Sequence, residues 1–279
     1  MAVELSVAGV EQLLKGITIP PRPIVLIEVD QELKRPEPDL KKVAGLIARD
    51  VGVSAAMLKT VNSPLFGLRS KVGSVLQAVQ LLGARNTRNV VTSLVLRSTM
   101  GGAAASLERF WDSSEKVASI SAYICTMLPK APREEAYTFG IFHDCGIPAL
   151  MQRFGDYRDT LKIAGGDSRP PTEVEEERHG TNHATIGYLI AHSWGLSDVI
   201  CQAIQRHHDL GALGDDDSFS PMARVLVAVN FLAEHLHETS LRMRDDRQWV
   251  QGEGIVLDYL GLTHGEYAEL SEDVMALCT

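Results

Sequence analysis

Residues 139–150 read Phe-Gly-Ile-Phe-His-Asp-Cys-Gly-Ile-Pro-Ala-Leu. His143 and Asp144 are adjacent in a run that is otherwise apolar. Ala136, Phe139, Ile141, Phe142, Ile147 and Leu150 are side chains that a core buries. A helix carrying an ionisable pair into such surroundings must satisfy it with a metal, a partner side chain or water. More histidines follow, at His179, His183 and His192 and then at His207-His208. Whether these imidazoles converge with Asp144 decides what the chain can do.

Around this stretch, apolar residues recur at helical spacing almost everywhere, and no sustained alternation suggests a sheet. The expected fold is all-α. Residues 3–15 read as a helix ended by Gly16. Ile19–Pro23 is an extended lead-in, and Pro23 suits the first turn of a helix running to Lys34. Asp39 should cap a helix to Asp50, and Ser54 another that Asn62-Ser63-Pro64 ends. Phe66 to Lys71 reads as loop. Ser74 should start a helix that Gly83 closes, and Asn86 or Thr87 the next, to Met100. Gly101-Gly102 reads as a hinge. Trp111–Leu128 and Arg133–Asp144 are the next helices. Gly146 interrupts the second, and Pro148 sits in the first turn of a short continuation. Tyr157–Ala164, His183–Trp194, Ser197–His208 and Pro221–His237 read as helices. Glu173–Glu177 reads as a solvated acidic face, and Gly211–Ser220 as a polar, flexible loop.

Composition bounds the class. The chain has 279 residues, 45% apolar and 23% charged, which suits an ordinary globular protein. No apolar run reaches the length of a membrane span, and the N-terminus lacks the pattern of a secretory signal. Cys125, Cys145, Cys201 and Cys278 form no CxxC. The first three read as small buried hydrophobes of a reducing compartment, so a cytoplasmic protein is expected. A net charge of −9 argues against general nucleic-acid affinity. Residues 31–100 are locally +7 and the remainder −16. The simpler reading of that asymmetry is a basic face docked on the acidic half; an anion-binding surface is the alternative.

Three constellations could carry chemistry. Imidazole and carboxylate are good ligands for borderline divalent metals, and such centres draw His and Asp from several helices of a bundle. His143-Asp144 and His207-His208 fit this pattern; a buried polar cluster without metal fits it equally. His179, His192, His235, His237 and His264 read as solvent-facing or capping residues. Val43–Asn62 has the spacing of a helix-turn-helix DNA reader, with Ile47, Val51, Leu58 and Val61 inward. Its outward residues are Ala55, Ala56, Lys59 and Thr60, and Lys59 alone is basic, so a plain helical hairpin is expected. Cys145 beside His143 could be a nucleophile, but bulky apolar neighbours and Asp144 should raise its pKa.

Several blocks in order resemble the HDOD family, the HD-related output domains of bacterial signalling proteins. These are the Ile19–Pro23 lead-in, IARD (47–50), VNSPLFG (61–67), SVLQAVQLLG (74–83), Phe110-Trp111, GIFHDCG (140–146), HATIGYLIAHSWGL (183–196) and AIQRHH (203–208). The resemblance implies a multi-helix bundle, with an N-terminal helical half (17–102) packed on a degenerate HD-like half (103–212). A helical extension (213–279) should pack on the latter. It also implies a residual divalent-metal shell (Fe, Mn, Zn or Mg) of His143, Asp144, His183, His207 and His208. An early ligand histidine of HD hydrolases is replaced by Ser113 or Ser114, and a late aspartate by Asn230. Glu115 and Asp112 lie off the ligand position.

The resulting expectation is a non-catalytic regulatory domain that needs no cofactor and acts through signalling protein partners. A nucleotide or small anion is a candidate ligand, and neither membrane nor nucleic acid is expected. The alternative is a metal-dependent phosphohydrolase of nucleotides or cyclic dinucleotides.

Overall fold

A computed structural model of the chain describes residues 16–63, 68, 70–100, 105–128, 131–214, 217–241 and 247–278. The expected helix at residues 3–15, the Gly101-Gly102 hinge and half of the Phe66–Lys71 loop lie outside these residues. The described residues hold helices and no strand.

The N-terminal half contains α1 (Ile24–Leu33), α2 (Leu40–Ile47), α3 (Val51–Val61) and α4 (Val75–Met100). Asp39 caps α2 by accepting from the Lys41 and Lys42 amides. The cap of α3 is Asp50 rather than Ser54. Ser54 lies inside the helix and donates to the Ile47 carbonyl. That earlier start rotates the face: Val53, Met57, Thr60 and Val61 are buried, whereas Val51 is 81% exposed. Lys59 is exposed. Gly83 interrupts α4 with φ 71° and ψ 179°, a conformation that costs glycine little. Both segments of α4 pack against neighbours, with α1, α2 and α3 on it.

The second half is built on α5 (Ala105–Met127), α6 (Arg133–Phe142) and α12 (Pro221–Leu236), which pack on one another. Around them lie α7 (Gly146–Arg153), α8 (Tyr157–Gly166), α9 (Pro171–His179), α10 (His183–Ser193) and α11 (Asp198–Arg206). After α12 come a π-helical turn (His237–Leu241), α13 (Arg247–Leu260) and α14 (His264–Cys278). α4 packs on α6 and joins the halves. Arg85 and Arg97 reach across from α4 to Glu135 and to Asp112 and Glu115. The basic half therefore docks on acidic residues, and Glu115 and Asp112 are held by Arg97. Within the expected loop at Gly211–Ser220, a 3-10 turn spans Leu210–Leu213, and Ala212, Leu213 and Phe219 are buried.

Two glycines set the central packing. A Cβ on Gly140 would lie 2.5 Å from the Ala118 Cα, so only glycine lets α6 lie this close to α5. A Cβ on Gly146 would lie 2.1 Å from the His183 carbonyl oxygen, so the same holds where α7 meets α10.

Candidate metal centre

His143 and Asp144 occupy the tight turn between α6 and α7. Pro148 has no amide hydrogen to give the Asp144 carbonyl, and the Ile147 amide bonds it instead at 2.9 Å. That shortened turn, with Gly146 against α10, carries Asp144 to the start of α10. His183 is the first residue of α10, which Asn182 caps. His207 and His208 follow the last residue of α11.

Asp144 bridges the imidazoles. Its Oδ1 lies 3.2 Å from His183 Nε2 and 3.5 Å from His207 Nε2, and its Oδ2 lies 3.2 Å from His143 Nε2. Ligand atoms of Asp144, His183, His207 and His208 all lie within 4.8 Å of one another. His143, Asp144 and Glu234 form a second such group, with His143 Nε2 3.0 Å from Glu234.

The opposite ring nitrogens are fixed. Nδ1 of His143 donates to the Gly140 carbonyl at 2.8 Å, and Nδ1 of His207 to the Ile204 carbonyl at 2.7 Å. A carbonyl only accepts, so the proton sits on Nδ1 in both rings. Nδ1 of His183 faces the Glu175 carboxylate at 2.7 Å. Glu175 also accepts from the His183 amide and the Tyr157 hydroxyl, both at 2.7 Å. Where these rings are neutral, the Nε2 lone pairs face inward. His183 Nε2 lies 3.2 Å from His207 Nε2 and 3.1 Å from His208 Nε2. Such contacts repel unless a proton or a cation lies between them. A carboxylate behind a ligand imidazole is the usual support of a metal-bound histidine. The residues therefore fit a borderline divalent ion.

Proton affinities report the same tension. Burial opposes charge on His183, but Glu175 and Asp144 outweigh it and push the imidazole up to about 10. Burial likewise opposes charge on His143, yet Asp144 and Glu234 raise its pKa well above the ordinary value. His208 moves the other way, lowered by burial and then by His207 and His183. Asp144 stays well below its ordinary value despite burial, because His143 and the other imidazoles hold it ionised. The Cys145 thiol is fully buried and its pKa is raised by burial and by Asp144, the opposite of an activated nucleophile.

Three participants escape the sequence reading. Glu175 lies in the acidic run expected to be solvated, yet it is fully buried. Nothing in the run distinguishes it from Glu173, Glu176 or Glu177. Glu234 is the α12 carboxylate that meets His143, one turn beyond Asn230. Their four-residue spacing on one helix was the available signal. Asn230 is itself buried beside Ser121, with Oδ1 at 3.5 Å. His237, which reads as a solvent-facing or capping residue, does end α12 as its C-cap, but it is 4% exposed, and its Nε2 lies 2.7 Å from the Ser113 hydroxyl. His235 is buried too, bonded to the Tyr267 hydroxyl and stacked on Trp249. A cavity of about 400 Å³ opens beside His143 and Asp144, lined also by Arg109, Ser113, Glu234 and His237.

A family model for the HDOD domain matches residues 19–210. The chain is similar to solved structures that show the same fold. One is an HDOD domain protein of unknown function from Geobacter sulfurreducens (22% identity, 96% of each chain, TM-score 0.66). Another is a protein from Shewanella amazonensis SB2B provisionally named a phosphohydrolase (22% identity, 95% and 93% of the chains, TM-score 0.70). A third, from Marinobacter aquaeolei VT8, is provisionally named a signal transduction protein (18% identity, 99% and 66%, TM-score 0.66). An uncharacterised protein of Treponema pallidum is 25% identical over 198 residues, 69% of this chain and 38% of the relative. The Bacillus subtilis protein YuxH is 30% identical over 107 residues, 37% of this chain and 24% of the relative. The chain thus spans well under half the length of these two relatives. Among the described residues, no helix is long and apolar enough to cross a membrane.

Proposed function

The chain belongs to the HDOD family, and we propose that it is a regulatory signalling domain whose histidine cluster holds one divalent ion without hydrolysing a substrate. The supporting observation is the crowding of Asp144: one carboxylate meets three imidazoles, and Asp144, His183, His207 and His208 together offer four protein ligands. Four protein ligands are typical of a closed structural site, whereas a hydrolytic site keeps a position open for water. His143 and Glu234 share Asp144 with that set, and Ser113 is bonded to His237, so a second ion has few donors of its own. Three imidazoles and one carboxylate suit Zn, Fe or Mn better than Mg. A bound ion would supply the positive charge that draws α7, α10 and α11 together. In this reading the domain acts by presenting its surface to signalling partners.

Elemental analysis of the purified chain, with a phosphodiesterase assay on cyclic dinucleotides, tests this. About one equivalent of Zn, Fe or Mn and no turnover are expected, with the metal lost in Asp144→Ala. Two equivalents, with turnover that Asp144→Ala abolishes, would defeat it. That outcome would establish the second reading, a metal-dependent phosphohydrolase. The cavity beside Asp144 and Glu234, with Arg109 on its wall, favours that reading.

A further inference from the structure

A second cavity, of about 240 Å³, lies where α4 of the N-terminal half meets α6 and the α10–α11 turn. Three arginines line it: Arg22 before α1, and Arg85 and Arg88 one turn apart on α4. Their partners are few. Arg22 pairs with Asp30. Arg88 bonds both Asp30 oxygens, at 2.6 and 3.3 Å, and the Gly195 carbonyl at 3.0 Å. Arg85 pairs with Glu135. Two carboxylates thus face three guanidinium groups, which leaves one positive charge uncompensated.

The donor count is more lopsided than the charge. Three guanidinium groups carry about fifteen N–H donors, and five bonds to these acceptors are accounted for above. Arg22 Nε is buried and has no acceptor. A buried donor left without a partner marks a place where an acceptor binds or strain is held. Asn89 and Thr92 add uncharged polar groups to the wall. Ser197, also on the wall, caps α11, so that helix presents its amino end to the same space. Asp198 in the first turn of α11 opposes an anion there, so the arginines must carry the attraction.

We propose that this seam cavity binds a phosphoryl or diphosphoryl group through Arg22, Arg85 and Arg88. Guanidinium forks match phosphate oxygens in pairs, and Arg is the usual residue where that geometry is needed. Size selects the class. Pockets for drug-sized ligands run from about 300 Å³ upward, so this cavity takes a phosphate terminus and not a whole cyclic dinucleotide. The site is separate from the histidine cluster and uses none of its residues, although α11 runs from the cavity to His207 and His208.

Titration calorimetry of the full chain with inorganic pyrophosphate, inorganic phosphate and a nucleoside diphosphate tests the assignment. Saturable pyrophosphate binding is expected, weakened roughly tenfold or more in Arg85→Ala by loss of charge-assisted hydrogen bonds. Arg85 is 72% exposed, so that variant should fold. Arg22→Ala should weaken binding similarly. Equal affinity for pyrophosphate and the nucleoside diphosphate would identify a free anion as sufficient; tighter nucleotide binding would identify a nucleotide terminus. No saturable binding, or binding untouched by both substitutions, overturns the proposal. Binding that disappears with a chelator also overturns it, because the phosphate would then sit on the metal centre. A purified chain that carries no metal yet binds the anion would instead count only against the metal reading.

Discussion

The histidine cluster and the arginine seam are both packed knots of polar side chains, yet they ask for opposite things. Around Asp144, the imidazoles commit Nδ1 to Gly140, Ile204 and Glu175 and turn Nε2 inward, where a proton or a cation must stand between them. Acceptors are in excess there, so a cation completes the site. At the seam, Arg22, Arg85 and Arg88 bring more donors than Asp30 and Glu135 can accept. An anion completes that one. Burial alone says only that each knot must be satisfied. The surplus of lone pairs or of N–H groups sets the sign of what satisfies it.

The strongest way to break this contrast is Gly146→Ala. Its Cβ would meet the His183 carbonyl at 2.1 Å and force α7 off α10. A loss of about 3 kcal/mol is expected in urea unfolding, with metal loss by elemental analysis. Normal metal content in a stable variant would show that the close approach does not set the cluster. Glu175→Gln is the next largest. It removes the anion behind His183 while keeping nearly the same volume. Metal affinity in a chelator competition should fall about 10- to 100-fold. An unchanged affinity would make Glu175 a purely structural residue.

Asp30→Asn sharpens the contrast from the other side. Asp30 is 4% exposed and joins two arginines that are themselves partly solvated, so a cost of about 1–2 kcal/mol is expected. Metal content should not change. If it did, the two knots would be one cooperative unit. The smallest effect is at Glu32, whose carboxyl is held down at about 2, chiefly by Lys42 and against burial, with the Asp39 amide and Arg35 assisting. A depressed folded pKa contributes stability above the ordinary value of 4.5, and that contribution is lost as pH falls from 4.5 towards 2. Unfolding measured across that window should have a shallower pH slope in Glu32→Gln than in the parent chain. Parallel slopes would assign the acid sensitivity to other carboxylates.

Much of this molecule could be read from neighbouring residues. The all-α class, the Asp39 cap, the break at Gly83 and the interrupted helix around His143 follow from local rules. Spacing, a capping oxygen or a missing amide hydrogen acts within a few residues. Likewise, His143 and Asp144 stand out in an apolar run and His207-His208 as adjacent imidazoles at a helix end, while His183 is picked out by the family resemblance. The structure departs from local rules at the Val51 face and the Ser54 cap, because Asp50 and Ser54 are both good caps and only packing chooses between them.

What the tertiary structure alone decided is pairing at a distance. Glu175 is chemically the same as its exposed neighbours, and the position of α9 beside α10 makes it the support of His183. Glu234 replaces Asn230 as the acid facing His143 because of how α12 lies on α6. His237 is buried against Ser113 from 124 residues away. The arginines of the seam read as part of a diffuse basic stretch until α4 docks and places them with Arg22 and Asp30. The sequence states which groups need partners, since chemistry and local spacing belong to each residue. Which partners they receive depends on helix contacts between residues far apart in the chain.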